Sequence, residues 1–166
     1  LLQIGFVPSQ RTMAFAVVLS ALGVVAGMMV LSSGDASQEA QGGFVDATFS
    51  GSGETLRLEV ARTRDEIRTG LMNRSELQVD GMLFVMPREE TQRFWMKNTL
   101  IALDMIFLDS QHRIVNIEKA YPPESGTPDS ELKRYSSEEP AKYVVELEMN
   151  RTEELGIEKR DRLSWD

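Results

Sequence analysis

Apolar residues recur at every second position throughout residues 44–166, in runs of five to nine residues separated by turn residues. A period of two is typical of β-strands, because successive side chains of a strand point to opposite faces of its sheet. Residues 54–62 show the period clearly, since Leu56, Leu58 and Val60 alternate with charged residues. We therefore expect a mainly β domain with polar faces on its outer strands.

Two of the runs are apolar on both faces, which predicts central strands covered from both sides. They comprise residues 82–86 and, with one exception, residues 100–108. Burial on both sides of a sheet requires at least two layers. Seven or eight short strands with two brief helices fit a small β-sandwich or a partly open barrel.

Both short helices are predicted from their first residues. Thr63 followed by Glu66 is the sequence of a capping box, and Gly70 or Asn73 would end that helix. Asn150 is a second N-cap residue and begins a helix near the C-terminus. The helices are short, so the strands dominate the fold.

Turn residues predict how the later strands connect. Residues 109–112 separate the apolar run 100–108 from residues 113–120, which predicts a hairpin. Residues 122–137 are polar and predict a long loop, and residues 162–165 predict a final edge strand.

An apolar segment precedes the β domain. Residues 13–31 contain nineteen positions without a charge, long enough as a helix to nearly cross a ~30 Å hydrocarbon core. They predict either a signal anchor or a cleaved signal peptide, and the anchor is favoured because a cleavable apolar region is usually ~7–15 residues long. Residues 1–12 form a short N-terminal segment, and residues 32–43, rich in small polar residues, predict a flexible tether.

Charge predicts which side of the membrane the domain occupies. Arg11 precedes the apolar segment, whereas Asp35 and Glu39 follow it. Positive charge tends to stay in the cytoplasm, so we expect the N-terminus inside and residues 44–166 outside the cell membrane. Cleavage of the segment would instead give a secreted or periplasmic domain.

Composition limits the classes of function. The formal net charge of −8 opposes binding to the phosphate backbone of nucleic acid, and the absence of cysteine excludes a disulfide framework. No Gly-rich phosphate loop, zinc-type His/Cys spacing or nucleophile elbow is present. The sequence thus predicts neither a cofactor nor a metal site, and it argues against a conventional hydrolase, kinase or redox enzyme.

Asp104 is the most informative polar residue, because its neighbours on both faces of the predicted strand are apolar. Burying a carboxylate without a partner costs several kcal/mol, so we expect a donor or cation beside it. The nearest candidates in the sequence are Lys97, Asn98, Thr99 and Arg74. Two interpretations stay open: a structural ion pair, or the floor of a ligand pocket.

A tryptophan and a lysine share one face of the predicted strand over residues 94–99. Alternation places Trp95 and Lys97 on one face and Asn98 on the other. An indole beside an ammonium group suits stacking of a sugar or another flat ligand, although an indole can equally fill a core.

Tyr135 lies at the end of the long loop and could close over such a pocket, or could simply anchor the loop. Glu146 is predicted on the outward face of a strand over residues 143–149 and is the second carboxylate of a hypothetical catalytic pair with Asp104. The predicted ligand-binding residues are Arg74, Trp95, Lys97, Asn98, Asp104 and Tyr135.

Several segments together resemble a known family. They are residues 70–74 (GLMNR), 81–85 (GMLFV), 94–99 (FWMKNT), 103–108 (LDMIFL), 135–137 (YSS) and 140–144 (PAKYV). In this order they resemble the domain of unknown function 192 family over roughly residues 55–163. The resemblance implies a mostly β sandwich of jelly-roll type, often behind an export signal, and implies no reaction.

Three functions remain as expectations. The first is a membrane-tethered, extracytoplasmic binding or accessory module for a glycan or small anionic ligand. The second is a carboxylate-dependent hydrolase or lyase acting on an envelope polymer. The third is a structural partner in an envelope protein complex.

Overall fold

The structure is a computed structural model that describes residues 43–166. The predicted N-terminal segment, membrane segment and all but the last residue of the predicted tether lie outside the described residues. Within residues 43–166, no helix is both long enough and apolar enough to cross a bilayer.

Nine strands and two short helices make up the described domain. The strands are β1 (Phe44–Phe49), β2 (Thr55–Ala61), β3 (Gly81–Glu90), β4 (Arg93–Trp95), β5 (Leu103–Leu108), β6 (Ile114–Ala120), β7 (Arg134–Ser136), β8 (Ala141–Glu148) and β9 (Leu163–Trp165). The helices are α1 (Arg64–Thr69) and α2 (Arg151–Glu154). The expectation of a mainly β domain with two short helices is confirmed.

Helix α1 begins as its sequence predicts. Thr63 is the N-cap, its side chain accepts a hydrogen bond from the Glu66 N–H, and the Glu66 side chain accepts a bond from the Thr63 N–H in return. Gly70 ends the helix with a φ of 45°, a left-handed value that favours glycine. The start of α2 differs, because the Asn150 side chain makes no capping bond and its backbone is left-handed, with a φ of 71°.

Seven strands form one sheet in the order β6-β5-β8-β3-β2-β1-β9. Neighbouring strands are antiparallel, except that β2 and β3 are parallel and are connected through α1. The sheet curls, and its two ends approach each other: the Leu163 N–H donates to the His112 C=O at 3.0 Å, and the Ile114 N–H donates to the Asp161 C=O at 2.9 Å. The predicted edge strand over residues 162–165 is therefore present as β9, close to β6 at the other end of the sheet.

The curled sheet is apolar on both faces. Its inner face packs around Phe49, Leu58 and Ile106, with contributions from most of the strands. Its outer face is covered by α1 and by a two-stranded ribbon of β4 and β7, and Phe84 and Phe107 are buried there. This second layer explains why the central strands lack a polar face.

The ribbon corrects the predicted loop over residues 122–137. Strand β7 occupies its C-terminal part and pairs antiparallel with β4, so that Phe94 lies opposite Tyr135. Each of these strands has only three residues, too few for an apolar alternation to show in the sequence, so they can be recognised only from their pairing in the structure.

Candidate functional site

The ribbon presents an aromatic and cationic outer face. Phe94 and Tyr135 point towards the sheet, and the Phe94 ring meets the Phe84 ring edge-on with centroids 5.2 Å apart. Trp95 and Arg134 are the next opposed pair and lie on the other face of the ribbon. The inward residues fix the ribbon, and the outward residues are left for contacts with solvent or ligand.

Two cations lie beside the Trp95 ring. The Arg134 guanidinium carbon lies 4.1 Å from the ring centroid, and the Lys97 ammonium lies 5.4 Å from it. Both distances are within the ~6 Å range of cation–π attraction. Lys97 also forms an ion pair with Asp129. The predicted association of Trp95 with Lys97 is therefore present, with Arg134 as an additional member.

The strand over residues 94–99 is shorter than its alternation predicts. β4 ends at Trp95, and the polypeptide turns through Asn98, whose φ of 53° is left-handed. The Thr99 N–H closes this turn on the Met96 C=O at 3.1 Å. Asn98 is consequently an exposed turn residue, and Thr99 is buried beneath it.

A groove lies beside the turn. Its volume is about 340 Å³, and its lining includes Lys97, Asn98, Thr99 and the segment of residues 122–127. We call it the Lys97 groove. Glu124 and Asp129 supply acidic groups to its lining, and Asp129 is the partner of Lys97.

A smaller cavity lies on the other side of Lys97. It has a volume of about 40 Å³ between the end of α1, the aromatic residues of β3 and β4, and the outer face of β8. Glu146 lines this cavity, and Lys97 and Thr99 line both this cavity and the groove. We call it the Glu146 cavity.

Glu146 is buried on a face that the sequence predicts to be wet. It points outward from the sheet as expected, but α1 and the ribbon cover that face and leave the residue 5% exposed. The carboxyl group forms no hydrogen bond or ion pair with any other residue in 43–166. Burial therefore raises the pKa of Glu146 to about 8.

Asp104 is sealed on the opposite face of the sheet. One of its carboxylate oxygens accepts bonds from the Thr152 N–H at 3.0 Å and the Thr152 hydroxyl at 2.6 Å, and the other lies 3.9 Å from the Lys119 ammonium. Hydrogen bonding to Glu153 and the charge of Asp104 raise the pKa of Lys119. Asp104 is 0% exposed, so the geometry is that of a structural clamp on α2.

The hypothetical pair of Asp104 and Glu146 is not formed. In the register of β5 and β8, Asp104 lies opposite Leu147 and Met105 lies opposite Glu146. Adjacent positions of a strand face opposite sides, so the two carboxylates are separated by the sheet. They cannot share a substrate.

Arg74 is paired with Glu59 rather than with Asp104. Two of its guanidinium nitrogens donate to the two Glu59 oxygens at 2.6 and 3.0 Å. This hydrogen bonding raises the pKa of Arg74. The pair lines a separate cavity of about 330 Å³ between β2 and α1.

Tyr135 is buried beneath the ribbon. Its hydroxyl accepts a hydrogen bond from the Tyr121 N–H at 3.1 Å, and the Lys133 ammonium lies 4.4 Å from its ring centroid. It lines a cavity of about 220 Å³ together with Pro122 and Leu132. The hydroxyl thus ties the loop to the domain.

The family model described as domain of unknown function 192, uncharacterized ACR, matches residues 45–165. The chain belongs to the domain of unknown function 192 family. It is also 31% identical over 117 residues to a UPF0127 protein of Pyrococcus furiosus, an alignment that covers 68% of this chain and 91% of that protein. The relationship therefore extends over nearly the whole described domain.

Two crystal structures are similar to the domain. A protein of Sinorhizobium meliloti 1021, described as a proposed transcription regulator, has 32% sequence identity and a TM-score of 0.66, with coverage of 76% of this chain and 97% of that one. A protein of unknown function from Novosphingobium aromaticivorans has 32% identity and a TM-score of 0.63, with coverage of 74% and 85%. Both proteins therefore share the fold of the described domain.

Three of the six predicted ligand residues come together in this member of the domain of unknown function 192 family. Trp95, Lys97 and Asn98 follow one another around the end of β4, and Lys97 and Asn98 line the groove. Tyr135 lies on the inner side of the ribbon. Asp104 and Arg74 are elsewhere, because each has its own partner.

Two features of this site in the family member are not predicted from the sequence: the participation of Arg134 and the burial of Glu146. Arg134 lies in a polar stretch and carries no local signal, and it reaches Trp95 only because β7 pairs with β4. Glu146 lies at a polar position in the alternation of β8, and nothing in the local sequence indicates that α1 and the ribbon cover it. The lysine beside Asp104 could not be found from the predicted hairpin either, because counting back from the turn brings Ile117 opposite Asp104, and only the register shift between Phe107 and Leu108 places Lys119 there.

Proposed function

We propose that the domain binds a small anionic ligand, such as an acidic sugar of a glycan, at the outer face of the ribbon. The observation that carries the proposal is the Arg134 guanidinium lying 4.1 Å from the Trp95 ring without a carboxylate partner in residues 43–166. Its described hydrogen bonds go to the backbone carbonyls of Leu132 and Asp129, at 3.3 and 3.5 Å.

A guanidinium held over an indole is suited to an anionic ligand. Stacking orients its plane, and the remaining N–H donors match the two oxygens of a carboxylate. Arg93 and Lys133 also lie on the ribbon and form no ion pair with a described residue. In a protein with a net charge of −8, this local excess of cations favours attraction of an anion.

The Lys97 groove supplies room for such a ligand. Its volume of about 340 Å³ is within the usual range of ~300–1,000 Å³ for small-molecule sites. Lys97 connects the groove with the Trp95 ring, so that a sugar in the groove reaches both.

We further propose that residues 13–31 hold the domain at the outer side of a membrane, or direct its export. The uncharged run of nineteen residues and the small, polar residues 32–43 support this location. Nucleic acid is not proposed as a partner, because the acidic net charge opposes it; the regulatory description of the Sinorhizobium protein therefore brings no DNA-binding role to this protein.

Calorimetric titration of the domain with tetragalacturonate tests the binding. We expect saturable binding that weakens as salt rises, and an affinity reduced at least tenfold in Trp95→Ala and in Arg134→Gln. Arg88→Gln is the matched control, because the Arg88 side chain is 81% exposed and faces Glu90 rather than Trp95. Equal affinities for the two arginine variants, or equal affinity for a neutral oligosaccharide, contradict the proposal.

Two alternative functions, a hydrolase or lyase and a structural partner, are tested separately. The first uses the same incubation with tetragalacturonate. Release of new reducing ends from the tetragalacturonate supports the hydrolase or lyase, whereas unchanged sugar supports a binding module. A role as structural partner is tested by isolating the protein from solubilised membranes. Co-purification of an envelope protein in stoichiometric amount, and its loss in Leu100→Ser and Tyr121→Ser, supports that role. Leu100 and Tyr121 are chosen because their side chains are exposed, by 59% and 60%.

A further inference from the structure

The Glu146 cavity has the properties of a built subsite. Its floor is Glu146, a residue that is 95% buried and whose carboxyl group has no partner among residues 43–166. Buried polar groups are nearly always hydrogen-bonded, so an isolated one that lines a cavity calls for a partner from outside the protein. Its lining combines the aromatic rings of Phe84, Phe94 and Trp95 with polar side chains such as Lys97 and Thr99.

No charged side chain among the described neighbours of Glu146 pairs with it. The residues flanking it on the adjacent strands are Met82 and Met105. The charged side chains nearest the cavity on each element are Arg68 at the end of α1, Lys97 after β4, Glu59 with Arg74 beyond Met82, and Glu118 beyond Met105. Both cations have an acidic partner, Asp65 for Arg68 and Asp129 for Lys97, but the Arg68 side chain is 76% exposed and the Lys97 side chain only 33%. Lys97 is therefore the cation better placed to act inside the cavity.

The cavity has the size of one small polar group. Its volume of about 40 Å³ corresponds to roughly three water-sized probes at ~10–15 Å³ each. Three heavy atoms are the size of a carboxyl group. Because Lys97 and Thr99 line both spaces, a ring in the Lys97 groove can direct its carboxyl group towards Glu146.

We infer that the Glu146 cavity is the subsite for the carboxylate of the bound ligand, which Glu146 holds as a hydrogen-bond donor and Lys97 holds by charge. This inference rests on the proposed function and makes it more specific. The ligand class becomes a chain of uronic acids, in which one carboxylate enters the Glu146 cavity and the carboxylate of a neighbouring sugar reaches Arg134, and a sulfated or phosphorylated group is too large for the cavity.

The protonation state of Glu146 makes the subsite selective. Burial raises its pKa to about 8, so at neutral pH the carboxyl group is protonated and can donate. A carboxylic acid that donates to a carboxylate forms a short, charge-assisted hydrogen bond. Above pH 8 the group is ionised, donates nothing and repels the ligand. Binding therefore requires the proton, and affinity falls as pH rises through the pKa.

An NMR titration with galacturonate from pH 6 to pH 10 tests the subsite. For the unmodified protein we expect constant affinity below pH 7 and a loss approaching tenfold per unit well above pH 8. Glu146→Gln keeps an N–H donor without titrating, so its affinity should stay within threefold of the neutral-pH value over the whole range. Glu146→Ala should lose at least tenfold at pH 7, and galactose, which lacks the carboxylate, should bind weakly to all three proteins.

The failure of this inference is distinguishable from the failure of the proposed function. Galacturonate binding that depends on Arg134 but is independent of pH and unchanged in Glu146→Ala overturns the subsite and leaves the ribbon site intact. Absence of galacturonate binding from pH 6 to pH 7 overturns both. Thermal unfolding of each variant at pH 6 confirms that a lost affinity does not reflect a lost fold.

Discussion

The backbone N–H of Asn73 donates to the backbone carbonyl oxygen of Asn98 at 2.7 Å. Both residues have a left-handed backbone, with φ of 60° and 53°. The bond joins the turn after α1 to the turn after β4, and residues next to both turns line the Glu146 cavity. The two turns therefore hold opposite walls of this cavity at a fixed separation.

Replacing Asn98 tests whether its backbone conformation matters. Left-handed backbone costs most L-residues roughly 1–2 kcal/mol, whereas glycine and, less readily, asparagine adopt it. Asn98→Ala should thus lower the free energy of unfolding by about 1 kcal/mol, and Asn98→Gly should change it by less than ~0.5 kcal/mol. Urea denaturation measures both, and equal losses for the two variants show that the side chain matters instead.

The clamp between Asp104 and Thr152 predicts a large effect on stability. Asp104→Ala leaves the buried N–H and hydroxyl of Thr152 without their acceptor, and the expected loss is about 3 kcal/mol. Lys119→Met should cost much less stability, because the Lys119 side chain is 33% exposed and its ammonium lies 3.9 Å from the carboxylate. Denaturant titration of both variants compares the two losses of stability. A larger loss in Lys119→Met than in Asp104→Ala would identify the ion pair as the dominant contact.

The strands and α1 could be predicted because their signals are local. The polar and apolar alternation around Leu58 persists over a whole strand, and the capping box of Thr63 and Glu66 requires only four consecutive residues. The burial of Asp104 also follows from its neighbours in one strand. In each case the physical cause lies within a few residues of its effect.

The site could be predicted only in part because its contacts are distant in sequence. Trp95 and Lys97 are neighbours in sequence, but Arg134 joins them through the pairing of two three-residue strands. Glu146 is covered by elements from other parts of the sequence, and Thr152 reaches Asp104 from 48 residues away. Side-chain alternation says which face a residue occupies and not what packs upon that face.

The buried carboxyl group predicts that stability depends on pH. Glu146 has a pKa of about 8 in the folded protein and about 4.5 when unfolded, so between these values the folded state binds more protons. The free energy of unfolding should consequently fall as pH rises from 4.5 to 8, by on the order of 4 kcal/mol. Glu146→Gln removes this dependence and should be more stable than the unmodified protein at pH 8 and similar to it at pH 4.5. Denaturant titrations at the two pH values measure the difference, and parallel losses in both proteins contradict the assignment.

Arg74 is expected to stabilise the fold without contributing to the ligand site. Its two hydrogen bonds to Glu59 use the forked geometry of the guanidinium, which lysine cannot reproduce. Arg74→Lys should therefore lower the free energy of unfolding by about 1 kcal/mol while leaving the affinity for tetragalacturonate unchanged. A loss of affinity in a variant that remains folded would place Arg74 in the site, as the sequence predicts.

Tyr135, on the inner side of the ribbon, is likewise expected to stabilise the fold without contacting the ligand. Its hydroxyl accepts from the Tyr121 N–H, so Tyr135→Phe should leave that partly buried N–H without its acceptor and cost about 1 kcal/mol of stability. The aromatic ring still packs under the ribbon, and Lys133 keeps its cation–π contact. Tyr121→Phe is the control, because the Tyr121 side chain is exposed and its backbone N–H is unaltered. In urea denaturation, Tyr135→Phe should have a lower free energy of unfolding than Tyr121→Phe. In calorimetric titration, both variants should bind tetragalacturonate with the affinity of the unmodified protein. A tenfold weaker affinity in Tyr135→Phe alone indicates that the hydroxyl reaches the ligand, which requires the loop before β7 to move away from Tyr135 on binding.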